Sequence, residues 1–167
     1  LGSVTLVQCV LRDNVVTSAG GGGGFMANGG SVTLDRCTVV GNDAQTVASV
    51  GRVANNAYAT LINCVVWGNT GSPFLWDETG GFGVSFSDVE GGYSGEGNIN
   101  ADPLFVSTDP LSPDFCRLAA TSPCIDAGDP SSASDADGSI ADMGAFATFS
   151  PLMIAEHTTW YKASSPY

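Results

Sequence analysis

Hydrophobic and polar positions in the first half of the chain follow a pattern that is written three times. VTLVQCVLRDN (4–14) returns as VTLDRCTVVGN (32–42) and as ATLINCVVWGN (59–69). Cys9, Cys37 and Cys64 stand 28 and 27 residues apart, and so do Asn14, Asn42 and Asn69. A fixed period of this length marks a solenoid, in which each repeat is one coil stacked on the last. Within each copy alternate residues point the same way. Val4 and Leu6, Val32 and Leu34, and Ala59 and Leu61 form one inward file. From Leu to Cys the step is odd, so the chain must bend there. Period two then resumes with Cys9 and Leu11, Cys37 and Val39, Cys64 and Val66. Stacked at the strand spacing of about 4.8 Å, these positions predict aliphatic files and one file of thiols. The asparagines predict a corner, where Asn tolerates a tight bend and its amide can bond the copies above and below.

A leucine-rich repeat has a similar spacing, with a helical segment after its strand. The segments between the copies exclude it. TSAGGGGGFMANGG (17–30), DAQTVASVGRVANNA (43–57) and TGSPFLWDETGGFG (70–83) hold too much Gly, Asn and β-branched residue for a helix. The expectation is an all-β chain, a right-handed parallel β-helix of about five or six coils. Its coils would run 4–30, 31–57 and 58–83, with degenerate coils over 84–146 and a strand-like extension at 147–167. A worn fourth copy at 84–89 places Val89 where the cysteine stood and Ser94 where the asparagine stood.

Composition agrees with a turn-rich stack: 22 glycines among 167 residues, and only 13% charged residues. Seventeen acidic against five basic residues leave a net charge of −12. Such a surface repels nucleic acid and anionic lipid, and a polyanionic polysaccharide would reach it only through a bridging cation. No stretch approaches the roughly 18 unbroken apolar residues of a membrane span. The chain opens in mid-pattern at Leu1, as a processed or fragmentary chain would.

Of the five cysteines, Cys9, Cys37 and Cys64 occupy equivalent inner positions, where a thiol behaves as a small hydrophobe. Cys116 and Cys124, outside that file, are candidates for a disulfide, and a bridge there would imply an oxidising, extracellular setting.

The run NADPLF, then DF-x-RL, SPCIDAGDP, DADGS and DMGAF, between Asn100 and Phe146, resembles the C-terminal coils of bacterial right-handed parallel β-helix proteins. The three C-x-x-x-x-N copies resemble repeats of the same superfamily, which also holds pectate lyases and polygalacturonases. The resemblance implies a secreted or surface-anchored protein; it carries more for fold than for function.

Candidate chemistry is sparse. His157 is the only histidine and lies in the tail, so no nucleophilic triad forms around a core His. Arg12, Arg36, Arg52 and Arg117 are the possible proton acceptors of a lyase, and none has a carboxylate cluster in its own coil. Asp77 with Glu78, or Asp88 with Glu90, could supply a glycosidase pair, with solvated turn carboxylates as the simpler reading. The glycines at 20–24 read as a tight turn rather than a phosphate cradle, because neither a helix nor a lysine follows. Asp135, Asp137 and Asp142 in SDADGSIADMG have part of a calcium loop's spacing but no bidentate Glu, so Ca2+ competes there with a simple Asx turn.

On the outward face stand Val10, Thr38 and Val65, then Arg12, Val40 and Trp67. An apolar stripe there predicts a contact surface, covered by the chain's own tail or by another molecule. Val10, Val40, Val65 and Trp67, with Leu152, Ile154 and Trp160 of the tail, are therefore the expected self-association residues. The sequence leads to a non-enzymatic extracellular structural protein, a self-associating subunit of a surface layer or filament. The alternatives are a carbohydrate-active enzyme on acidic polysaccharide, or a glycan-binding adhesin using Trp67, Trp76 and Tyr93.

Overall fold

In the computed structural model, residues 2–17, 22–77 and 79–147 are described, and the side chains of 45–47, 75 and 76 are left aside. All regular structure among them is β. Twelve strands follow in order: β1 (Ser3–Val7), β2 (Val10–Arg12), β3 (Val15–Val16), β4 (Phe25–Asn28), β5 (Ser31–Asp35), β6 (Thr38–Val40), β7 (Asp43–Ala54), β8 (Tyr58–Ile62), β9 (Val65–Trp67), β10 (Thr70–Trp76), β11 (Gly81–Ser85) and β12 (Asp88–Val89). They pair in parallel as three sheets, β1-β5-β8-β11, β2-β6-β9-β12, and β3-β7-β10 with β4 also on β7. Each pass of the chain visits the three sheets in turn, which is the arrangement of a β-solenoid.

The register stacks like on like. Leu6, Leu34, Leu61 and Val84 are paired in one file, and Leu11, Val39, Val66 and Val89 in another. Leu34, Val39 and Leu61 are fully buried, and Val66 and Val84 nearly so. The odd step between Leu and Cys is one left-handed residue, Gln8, Arg36, Asn63 and Phe86 in successive rungs, with φ between 47° and 54°. At the next corner Asp13, Gly41, Gly68 and Gly91 are left-handed in turn. Glycine suits this place for a second reason: a Cβ on Gly41 would lie 2.7 Å from Asp13 Oδ1.

Among the described residues four rungs are stacked, where five or six coils were expected of the chain. Beyond β12 the described residues carry only isolated bridges, Asp88 with Ile99, Phe105 with Leu118 and Ser107 with Phe115. Prolines 103, 110, 113, 123 and 130 explain this, since a Pro cannot donate to a ladder. This segment turns back along the outside of the stack instead of lengthening it. No helix among the described residues is long and apolar enough to cross a membrane.

Candidate functional site

The corner after Gln8, Arg36, Asn63 and Phe86 carries the thiol file. Cys9 Sγ donates to the Val7 carbonyl at 3.3 Å, Cys37 to Asp35 at 3.4 Å, and Cys64 to Ile62 at 3.2 Å. In the fourth rung Ser87 Oγ makes the same bond to Ser85 at 2.8 Å. Ser87, not Val89, is the fourth member of the file, and it also accepts the Cys64 N–H at 3.0 Å. A coil of 23 residues between them, shorter than the first two, had hidden this register. Cys37 and Cys64 are fully buried, and Cys9 is half-buried at the first rung. Cys64 donates to Cys37 and holds the Cys37 thiol below its usual range, whereas burial pushes Cys64 up.

The asparagine corner forms as its spacing predicts. Asn42 Oδ1 accepts from Asn14 Nδ2 at 2.8 Å, and Asn69 Oδ1 from Asn42 Nδ2 at 3.0 Å. Asn42 also donates to the Leu11 carbonyl at 3.0 Å, and Asn69 to Val39 at 2.8 Å. A second polar corner, unnoticed in the sequence, joins Asn28, Asn55 and Asp77: Asn55 Nδ2 donates to Asn28 Oδ1, and Asp77 Oδ2 accepts the Asn55 N–H at 2.8 Å. The twin-Asn pattern at 55 and 56 was its only sequence signal.

The outward apolar stripe is already covered. Val65 packs fully buried with Leu118, Cys124 and Met143, and Trp67, Ile99, Phe105, Ile125 and Ala127 close around them. Thr38 is buried too, and its Oγ1 accepts the Ala145 N–H at 3.0 Å. Val65 is therefore buried between stack and cover, while Trp67, Val10 and Val40 are half-buried. The cover that the sequence places in the tail or a partner is supplied on this flank by residues within 99–145. Leu152, Ile154, Trp160 and His157 lie outside the described residues.

Polar groups fasten this cover. Arg36 Nη1 meets Asp135 Oδ1 at 3.3 Å, and Arg36 Nη2 donates to the Ala133 carbonyl at 2.6 Å. Asn63 accepts from the Asp129 N–H at 2.6 Å and donates to Ser132 Oγ at 2.9 Å. Asp88, fully buried, accepts from Cys124 Sγ at 3.2 Å and from the Ala101 N–H at 3.1 Å. Burial raises both the Asp88 carboxyl and the Cys124 thiol.

The three aspartates weighed between a calcium loop and an Asx turn each accept a backbone N–H. Asp135 Oδ2 accepts the Asp142 N–H at 2.8 Å, Asp142 Oδ1 the Asp126 N–H at 2.9 Å, and Asp137 Oδ1 the Ser139 N–H at 3.0 Å. With each carboxylate turned to a backbone donor, no group of three potential ligands converges among the described residues. The candidate disulfide is not formed: Cys116 and Cys124 are both free. Cys124 faces Asp88 in the fourth rung, whereas Cys116 lies by the charges of Arg12 and Asp13 in the first and is pushed up to about 11 by burial.

The remaining candidates are also occupied locally. Asp77 accepts three further bonds, from Thr79 and Gly80, and these with the Asn55 N–H hold its carboxyl down at about 2. Glu90 caps the Gly68 N–H at 2.7 Å. Arg12 pairs with Asp13 and lies 5.1 Å from the Phe115 ring centre, and Arg117 lies 3.7 Å from Asp114. Gly23 and Gly24 donate to Ala48 and Val50 in β7, so this part of the glycine run packs against the stack. Tyr93 packs on Phe74, with ring centres 5.0 Å apart.

The two ends of the stack differ. Over the fourth rung, Asn98 Nδ2 donates to the Val84 carbonyl at 2.9 Å and its Oδ1 accepts the Ser87 N–H at 3.0 Å. Phe86 N–H bonds Glu96, and Val89 N–H bonds Ile99. At the other end β1 and β2 have a partner on one side only. Val4, Val7 and Val15 there are 54%, 51% and 68% exposed. No protein-family description, curated protein or solved structure matches the chain.

Proposed function

We propose that the chain is a right-handed parallel β-helix that serves as a non-enzymatic, extracellular structural module and self-associates as a subunit of a surface layer or filament. The handedness rests on the near-universal right-handed sense of crossovers between parallel strands of one sheet. The secreted setting rests on the likeness of residues 100–146 to surface β-helix proteins.

The observation that supports self-association is the unpaired edge of β1 and β2 among the described residues. The fourth rung is roofed by residues 93–99, while the first rung leaves β1 and β2 unpaired on one side among the described residues. An edge strand is a template for another chain, and Val4, Val7 and Val15 add apolar area beside it. The contact surface thus moves from the flank, which the chain covers itself, to this end. The candidate catalytic carboxylates favour the structural reading as well, since Asp77, Asp88 and Glu90 hold backbone groups of their own fold.

Sedimentation of the purified chain across a concentration series tests this. Association should deepen with concentration and be weakened by Val7→Lys with Val15→Lys, two exposed sites where the new cation stands beside Asp35 and Asp43 of the next rung. A chain that stays monomeric throughout, or one that releases reducing or unsaturated sugar ends from an acidic polysaccharide, overturns it.

A further inference from the structure

The thiol file holds one pair whose sulfurs meet. Cys37 and Cys64 are fully buried, and the Cys64 thiol donates to that of Cys37. Cys9 meets Cys37 through its backbone instead. Above Cys64 the file ends in a hydroxyl, since Ser87 Oγ accepts the Cys64 N–H at 3.0 Å.

The backbone holds this pair in line from both sides. Asp35 is in register with Ile62, and Thr38 with Val65. Between them the Val65 N–H bonds the Cys37 carbonyl at 2.9 Å. Strands paired in this way lie about 4.8 Å apart, inside the roughly 4.4–6.8 Å that separate the Cα atoms of a disulfide. Both side chains leave their rungs in the same sense, each donating to the carbonyl two residues earlier. Cys64 Sγ also reaches the Leu34 carbonyl in the rung of Cys37, at 3.5 Å, so the upper sulfur leans towards the lower one.

We propose that Cys37 and Cys64 are a redox-closed staple between the second and third rungs, a disulfide that forms within the folded chain when a peroxide reaches the file. Cys37 is the first nucleophile, because the bond from Cys64 holds its thiol at about 7 and leaves much of it thiolate at neutral pH. The thiolate attacks one oxygen of hydrogen peroxide, the O–O bond breaks, and hydroxide leaves a sulfenic acid on Cys37. The Cys64 sulfur then attacks the Cys37 sulfur, the S–O bond breaks, and the departing hydroxide takes the Cys64 proton as water. Two thiols are oxidised and one peroxide is reduced to two waters. Hydrogen peroxide is close to water in size, so it uses openings too narrow for an alkylating reagent. The bond closes the span from Cys37 to Cys64, 27 residues apart, and so restricts the unfolded chain. The staple rests on the stack alone and is independent of the self-association reading.

The test treats the full chain, reduced and then freed of reductant, with a few equivalents of hydrogen peroxide at neutral pH. Expected are a loss of two hydrogens in the intact mass and a cross-link between the Cys37 and Cys64 peptides after digestion. The urea midpoint should rise and dithiothreitol should reverse the rise. Cys64→Ser keeps a hydroxyl, as Ser87 does one rung above, and should stop at a sulfenic acid that dimedone traps on Cys37. The cross-link map of the parent decides the matter even where that variant does not fold. A link to any other cysteine, oxidation of Cys37 without a link, or two thiols that survive peroxide in the folded chain overturns the proposal. A link that forms as fast in urea as in water overturns it too, because the fold would then not be what brings the sulfurs together.

Discussion

Arg36 and Asp135 are 99 residues apart in the chain and meet at 3.3 Å between the second rung and the cover. The Asp135 side chain is 2% exposed and that of Arg36 14%, so the pair is largely shielded from water. Arg36 stands at the left-handed corner, so the same residue shapes the rung and holds the cover.

Replacing Arg36 with Met should leave Asp135 buried without its cation, at a cost of about 3 kcal/mol. Asp135→Asn should cost less, because it removes the buried charge together with the pairing. A double-mutant cycle by urea denaturation should return a coupling of about 1 kcal/mol or more. Additive losses would mean the ion pair does not fasten the cover.

Leu34 is fully buried in the middle of the Leu6–Leu34–Leu61–Val84 file. Leu34→Ala should destabilise the chain by about 2–5 kcal/mol, the range for a buried leucine that leaves a cavity. Val7→Ala, at an exposed position of the same strand pair, should change the denaturation midpoint by far less.

Acid titration should separate two aspartates. Burial raises the Asp88 carboxyl, so its contribution is fully present below the ordinary unfolded value of about 3.9 and is lost as pH rises through the raised folded value. Asp88→Asn should flatten stability across that window. Asp77 behaves oppositely: its carboxyl is held down at about 2, mainly by the Asn55 N–H, so its contribution is present above the ordinary value and lost as pH falls towards 2. Asp77→Asn should remove that acid-side loss. Denaturation midpoints measured from pH 2 to 8 would show the two slopes, and a profile unchanged by either variant would refute the assignment.

Thiol labelling should follow burial. Cys9, half-buried at the first rung, should react first in the native protein, and Cys37 and Cys64 only on unfolding. The lowered Cys37 thiol gives no head start, because a reagent cannot reach it through the closed file. Rapid native labelling of Cys37 or Cys64 would contradict the register.

Much of the stack was legible because its constraints are local and periodic. Side chains alternate by two along a strand, and stacking forces each coil to repeat the last, so Leu34 under Leu61 and Asn42 under Asn69 follow from spacing alone. Even the bend before Cys9, Cys37 and Cys64 could be inferred from the odd step. The fourth rung was misplaced because its coil is shorter and its thiol is replaced by the Ser87 hydroxyl, which makes the same bond from a residue that no count of cysteines finds.

Beyond the repeats, sequence and tertiary structure part. Residues 100–146 were expected to continue the coils, and their prolines do not say where a non-repeating segment will lie. That was decided by the apolar stripe on β6 and β9: Val65 and Trp67 could be buried only by something brought across the flank, and Leu118, Cys124 and Met143 arrive there from far along the chain. The carboxylates at 135, 137 and 142 have one spacing whether they bind a cation or a backbone. Only the fold brings Arg36 and the amides at 126, 139 and 142 to them. Period and alternation thus specify what repeats along the stack, because each coil reads its neighbour through short-range pairing. What closes the flank depends on contacts across a hundred residues, which no local pattern encodes.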